Sequence, residues 1–379
     1  MATAAVAGGD HFAWEVLPPM PTKRVYSTAV ECQGKLYVIG GVSMHGNPLD
    51  AFEVYDPEKK KWNNRLPNLP NKRGQPAVAV VGDKIVVLGG VAGGNEASDA
   101  VDVFDTSTKK WIMGMKTLGE QIQNIATVVH NGKVITIGGM KANTSALQQC
   151  RVLNIEENVW LELPDMPTAR YGAAAHLKGN LIYVLGGRNG KYPIQALEVL
   201  DLKQSKWTKL KPITKPRVFC SYIMTDDKFY CIGGLQADGK DFHDNTEEYD
   251  VENDEWTDLD PMPHVRGDFC AGIIGGKIVV VGGMSRKALP LTESECLEDN
   301  KLWKSIPDCP TSRGSGTSAV FQGKLAIIGG FTPEGVSNAV EFLSVGAEPA
   351  ADSGTKGAAG SAAGAGKASA RGRGKGKRR

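Results

Sequence analysis

Short apolar runs separated by polar turns recur along the chain, and seven of them end in the same way. "KLYVIGG", residues 35–41, sets Leu36, Tyr37, Val38 and Ile39 in succession, the unalternating β-prone run of a strand buried on both faces. Two glycines then stop it. The same ending falls at Gly40-Gly41, Gly89-Gly90, Gly138-Gly139, Gly186-Gly187, Gly233-Gly234, Gly282-Gly283 and Gly329-Gly330, at spacings of 49, 49, 48, 47, 49 and 47 residues. A strand that ends repeatedly on residues without a Cβ must turn sharply beside a close neighbour.

The tryptophans keep the same period. Trp14, Trp62, Trp111, Trp160, Trp207, Trp256 and Trp303 are all seven in the sequence, each 26 or 27 residues before the next doublet. One unit, residues 170–212, reads as four strands: A in "RYGAAAHLKG", B in "LIYVLGG", C in "ALEVLDL" and D in "KWTKLKP", with turn residues between them. A period near 50 with four strands per unit predicts an all-β, seven-bladed propeller of four antiparallel strands per blade. Glycine relieves crowding where inner strands approach the axis. Tryptophan does the opposite, filling the wider space between outer strands and burying ~150–250 Å² each.

The ends of the pattern predict how the ring closes. The first unit is a lone D strand, "FAWEVLP", and the last has A, B and C strands but no tryptophan after them. The N-terminal strand should therefore complete the last blade and remove the open edge. The expected organisation is a short flexible segment over residues 1–11, one propeller over 12–345, and an Ala/Gly-rich basic tail over 346–379.

These seven in-phase units, with doublet and tryptophan at fixed offsets, resemble kelch repeats over about nine-tenths of the chain. In particular the sequence is similar to stand-alone kelch domain-containing proteins such as the kelch domain-containing protein 8 group. The resemblance implies a non-catalytic intracellular scaffold that binds a protein or peptide. Many larger relatives add a BTB module that recruits a ligase, and the residues before Phe12 are too few to form one. Some kelch propellers are enzymes of the sugar epimerase or oxidase type, so the alternative is small-molecule chemistry in the central pocket.

Composition refines this picture at one end. The formal net charge is +2, yet residues 346–379 carry eight Lys/Arg against two Asp/Glu, leaving the propeller body near −4. With no aromatic residue, that tail cannot offset the entropy of ordering and is expected to be disordered. Its end, "RGRGKGKRR", fits an import signal or a weak nucleic-acid contact as well as a solvated tail. Seven cysteines without CxxC spacing fit reduced thiols, and no export signal or membrane-length apolar run is present. A cytoplasmic monomer, also able to enter the nucleus, is expected.

Chemistry is sparse. The stretches "GGVAGG" and "GGRNGK" lack the following helix and the Lys-Ser/Thr pair of a phosphate loop. Loop 236–245 holds Asp238, Asp241, His243 and Asp244, donors suited to a divalent cation, although acidic loops are usually solvated; no cofactor is expected. The remaining signal is an arginine sixteen residues before each doublet: Arg24, Arg73, Arg170, Arg217, Arg266 and Arg313, with Ile122 in the third unit. In adaptor proteins of the family, arginines at this register and residues in the D–A and B–C loops contact partners, which makes these six candidates for partner binding. A competing account comes from the acids Glu53, Asp102, Glu198, Glu247, Glu295 and Glu341 near the start of the C strands. The third unit, which lacks the arginine, also lacks the acid and has Arg151 there. Each arginine is therefore expected to pair with an acid. The B–C loops, residues 43–48, 92–98, 141–147, 188–195, 236–245, 285–291 and 332–338, vary between units, and His45, Tyr192, Lys240, Phe242, His243 and Arg286 are their candidate partner-binding anchors.

Overall fold

A computed structural model describes residues 10–63, 65–94, 96–286 and 289–347. Seven four-stranded antiparallel sheets form, one per repeat, and no helix appears among the described residues. In the fourth blade, strand A is Ala174–Lys178, B is Leu181–Leu185, C is Leu197–Asp201 and D is Lys206–Leu210. Their register pairs Ala174 with Leu185, Val184 with Glu198, and Leu200 with Trp207. The B strand is buried on both faces, as its unalternating pattern requires. Each C–D turn of the first five blades starts from an Asp or Asn. In this blade the Asp201 carboxylate accepts the Lys203 and Gln204 N–H groups at 2.8 and 3.1 Å, an Asx turn.

The apolar core lies between sheets. Seven clusters of buried side chains each join two neighbouring blades; one unites Ile39 and Phe52 of the first blade with Ile85, Val87 and Phe104 of the second. The half-buried tryptophans cross these boundaries. Trp62 Nε1 donates to Pro18 O and Trp207 Nε1 to Pro164 O, both at 2.8 Å and both on the preceding blade. Trp303 is the exception, donating to the Thr246 hydroxyl at 3.1 Å.

The doublets also act across boundaries. Gly40 and Gly41 have φ of 61° and 112°, and a Cβ on Gly40 would lie 2.3 Å from Arg73 O of the next blade. Gly41 N donates to that same carbonyl at 3.0 Å. Strand Asp10–Val16 pairs antiparallel with Val340–Ala347 and completes the seventh blade, with Trp14 opposite Leu343. This pairing runs two residues beyond the expected propeller limits at each end. Residues 1–9 of the N-terminal segment and 348–379 of the basic tail lie outside the described residues.

Candidate functional site

The arginine ring sits inside the wall of the propeller. All six side chains are at most 2% exposed. Arg217 donates from Nη1 to Gly233 O at 2.9 Å and Asn245 O at 3.3 Å, from Nε to Lys215 O at 3.3 Å, and from Nη2 to Glu247 Oε2 at 2.5 Å. Each other arginine pairs with the acid of its own blade: Arg24 with Glu53, Arg73 with Asp102, Arg170 with Glu198, Arg266 with Glu295 and Arg313 with Glu341. In the fourth blade the other Glu198 oxygen is tied by Thr168, just upstream of the arginine, at 2.6 Å; in the sixth, His264 meets at 2.6 Å the same Glu295 oxygen that Arg266 binds. Burial lowers the Arg24, Arg73, Arg170 and Arg266 pKa values, partly offset by the paired acid, and raises that of Asp102. The expectation that Arg24, Arg73, Arg170, Arg217, Arg266 and Arg313 meet a partner is thus corrected. Their guanidinium groups are consumed in holding the doublet turn to strand C. In the third blade the buried Ile122 takes the arginine position, while Arg151 donates to Leu118 O at 2.5 Å and lies 4.6 Å above the Trp160 ring.

The loop candidates divide. His45 and Lys240 are exposed, and Tyr192 is 66% exposed beside Asn143, Thr144 and Ser145 of the neighbouring loop. Arg286 is largely exposed but is held to Asp241 at 2.6 Å across two blades. Phe242 and His243 are corrected as free anchors. Phe242 packs so closely on the next blade that a Cβ on Gly267 would lie 2.4 Å from its ring. His243 is half-buried with its Nε2 enclosed, and burial, followed by the nearby Arg217 charge, lowers its pKa. Asp238 caps the Lys240 N–H at 3.0 Å and Asp241 faces Arg286. Among the described residues no three His, Cys, Asp or Glu side chains converge as a metal site would need.

A different set of residues forms the centre of this face. Two positions after each arginine register, every blade contributes one residue at φ of 48–61°: Tyr26, Gln75, Asn124, Gly172, Phe219, Asp268 and Ser315. For Tyr and Phe that left-handed conformation is rare and strained. Their backbones link neighbouring blades around the axis, Gln75 N to Tyr26 O at 2.7 Å and Asp268 N to Phe219 O at 2.9 Å among them. This ring, with Arg188, Tyr171 and Met140, lines a cavity of about 460 Å³. Arg188 lies 5.2 Å from the Phe219 ring centre and 5.8 Å from that of Tyr171, with its Nε buried and without a hydrogen bond. Asp268 accepts a hydrogen bond from the Ser315 hydroxyl, yet burial pushes its carboxyl pKa up. Stacking faces, an unused guanidinium N–H, two amides and a carboxyl suit recognition. The sequence signal was available, since the seven positions share the arginine register, but the residue types differ in every blade and their left-handed backbone is not written in any one of them.

Such a seven-bladed ring, with doublet and tryptophan in every blade and a buried Arg–acid pair in six of them, defines a class of repeat propeller. The chain belongs to the kelch-repeat family. The family model described as the KLHDC2/KLHL20/DRC7 Kelch-repeats domain matches residues 10–166 and 123–283. Kelch domain-containing protein 8B of Rattus norvegicus is 48% identical over 301 residues, covering 77% of this chain and 84% of that protein. Kelch-like protein 23 of Homo sapiens is 27% identical over 154 residues, 40% of this chain and 26% of its own length. Among solved structures, YjhT superposes with a TM-score of 0.55 at 17% identity, covering 87% of this chain and 99% of the other, a likeness of fold.

Proposed function

We propose that this propeller is a non-catalytic scaffold that binds a protein or peptide through the face formed by its D–A and B–C loops. The observation that carries the reading is where large apolar side chains reach solvent. Aliphatic side chains such as Val16, Ile112, Leu161, Leu302 and Val320 are exposed on strands or a C–D turn, but the four exposed aromatic ones among the described residues, Tyr26, Tyr192, Phe219 and Phe331, all lie on these loops, together with Met44 and Leu289. Two of them, Tyr26 and Phe219, rim the central cavity on strained backbone, where a purely structural role would favour Gly or Asn. Exposed aromatics around a concave centre, with Arg188 and Asp268 supplying charge, have the composition of an interface hot spot. Seven free thiols, six of them buried, support a reducing compartment as the setting.

The test replaces Tyr26 and Phe219 together by Asn, which tolerates the left-handed backbone and removes the aromatic surface. The parent and the double variant should melt alike, and partners recovered from cell lysate with the parent should be lost with the variant. Equal recovery by both would overturn this face as the binding surface. The rival reading, a small-molecule enzyme in the cavity, would instead show a rise in melting temperature with a sugar or other small ligand and no dependence on a protein partner.

A further inference from the structure

One junction between blades differs from the others, and beside it the A–B hairpin of the fifth blade holds two thiols close together at the wall of the cavity. At six junctions the second glycine of the doublet donates its N–H to the next blade's residue at the arginine register, as Gly139 does to Arg170 O at 3.0 Å and Gly234 to Arg266 O at 2.8 Å. Between the fourth and fifth blades Gly187 N instead meets the Tyr222 hydroxyl at 3.3 Å. The five residues at Tyr222's register in the first four and the sixth blades are Ala29, Val78, Thr127, Ala175 and Ala271, all small or β-branched. The Tyr222 ring therefore wedges this seam. A Cβ on Gly186 would lie 2.1 Å from its oxygen.

Beside the wedge, Cys231 Sγ donates to Cys220 Sγ at 3.9 Å. Cys231 lies on strand B of the fifth blade opposite Tyr222 and is fully buried, whereas Cys220 lines the cavity together with Tyr222 and Arg217. We propose that Cys220 and Cys231 form a reversible redox pair, with Cys220 attacked from the cavity by a hydroperoxide and Cys231 as the resolving thiol. The Cys220 thiolate attacks one peroxide oxygen, the O–O bond breaks, and the leaving oxygen departs as alkoxide or hydroxide and takes up a proton. The resulting sulfenic acid is then displaced by the Cys231 sulfur, forming the S–S bond and releasing water. In sum two thiols and one hydroperoxide give one disulfide, one alcohol or water, and one water; the sulfurs lose two electrons and the peroxide gains them. The sulfurs must close by about 1.9 Å to reach a bond of ~2.05 Å. The surroundings favour Cys220 as the attacking group. Burial raises its pKa, but hydrogen bonds from Cys231 and Tyr222 and the Arg217 charge outweigh that and bring it below the ordinary thiol value. Burial pushes Cys150, Cys270 and Cys296 up to about 12 and Cys309 up to about 11, and burial with the neighbouring Cys220 raises Cys231 as well, so none of these is the thiol that meets peroxide first; Cys231 enters only as the resolving group, its proton leaving with the sulfenic hydroxyl as water.

The test treats the full-length folded protein with hydrogen peroxide, blocks remaining thiols with N-ethylmaleimide and maps the tryptic peptides. Cleavage after Lys228 separates the two cysteines, so their disulfide appears as one linked pair of peptides. The expected result is loss of two of the seven thiols, those of Cys220 and Cys231, with recovery on reduction by dithiothreitol. In Cys231→Ser, Cys220 should stop at the sulfenic acid and be trapped by dimedone. In Cys220→Ser, Cys231 should stay reduced. Melting curves confirm that both variants are folded before treatment. The proposal is overturned if another cysteine is oxidised first, if no linked pair forms while the fold stays intact, or if Cys231 is oxidised without Cys220.

Discussion

An arginine that is nearly absent from the surface yet present in six of seven blades is explained by what it ties together. Arg170 Nη1 reaches Gly186 O at 3.2 Å and Ala196 O at 2.7 Å, closing the two ends of the B–C loop, while Glu198 neutralises it. Replacing one partner strands a buried charge, so Arg170→Ile should cost ~3–5 kcal/mol in urea unfolding. The third blade, built on Ile122, indicates the remedy. Arg170→Ile combined with Glu198→Leu should recover most of that loss, and a double variant as unstable as the single would reject the account. Asp268 gives the pH dependence at this scale. Its folded pKa is raised by burial, so the protonated form is the one the fold favours; that contribution is full below the unfolded value of about 3.9 and is lost as pH rises through the folded one. Asp268→Asn, which keeps the left-handed backbone, should therefore melt higher than the parent near pH 7, with the difference vanishing towards pH 4.

Within a blade, strands are short and their order is fixed by turns; between blades, tryptophans and doublets do the joining. The clearest test lies at the seam of the fourth and fifth blades, where the Tyr222 hydroxyl takes the place of a backbone carbonyl. Tyr222→Phe keeps the ring that fills the seam but leaves the Gly187 N–H without its acceptor. The expected cost is ~1–3 kcal/mol in chemical denaturation. No loss would mean that Gly187 finds the Arg217 carbonyl once the hydroxyl is gone. Trp207→Phe probes the outer rim in the same way. It retains most of the apolar contact and removes the bond to Pro164 O, so a smaller loss of ~1 kcal/mol is expected.

For the complete ring, closure is the property that matters. Strand Asp10–Val16 covers the edge of Val340–Ala347, and Lys324 reinforces it by binding Glu15 at 2.7 Å, a hydrogen bond that holds the Glu15 carboxyl below its usual range. Removing residues 1–16 would expose a long apolar edge. Size-exclusion chromatography should then show loss of the discrete species in favour of aggregate, and a truncated chain that elutes and melts like the parent would show that closure contributes little. The cavity is likewise a property of the ring, since each of the seven blades supplies one residue to its rim and no single blade could form it.

The amino-acid sequence determined the repeat, the number of blades, the strand order within them, the closure by the N-terminal strand and the pairing of Arg217 with Glu247, because these follow from local apolar runs and from residue types that recur at a fixed interval. A structural Arg–acid pair was legible, but with part of each guanidinium still available; that the whole group lies inside the wall shows only once the B–C loop is seen to fold over it. The inward turn of Phe242 and His243 and the rim containing Tyr26, Phe219, Arg188 and Asp268 depend on which loops meet across blade boundaries. The approach of Cys220 to Cys231 is set within the fifth blade by the pairing of its A and B strands, but the entry of the Tyr222 ring beside them into the seam with the fourth blade is not written in that pairing. Residues brought together from different repeats carry no shared pattern along the chain, and their proximity exists only once the ring has closed.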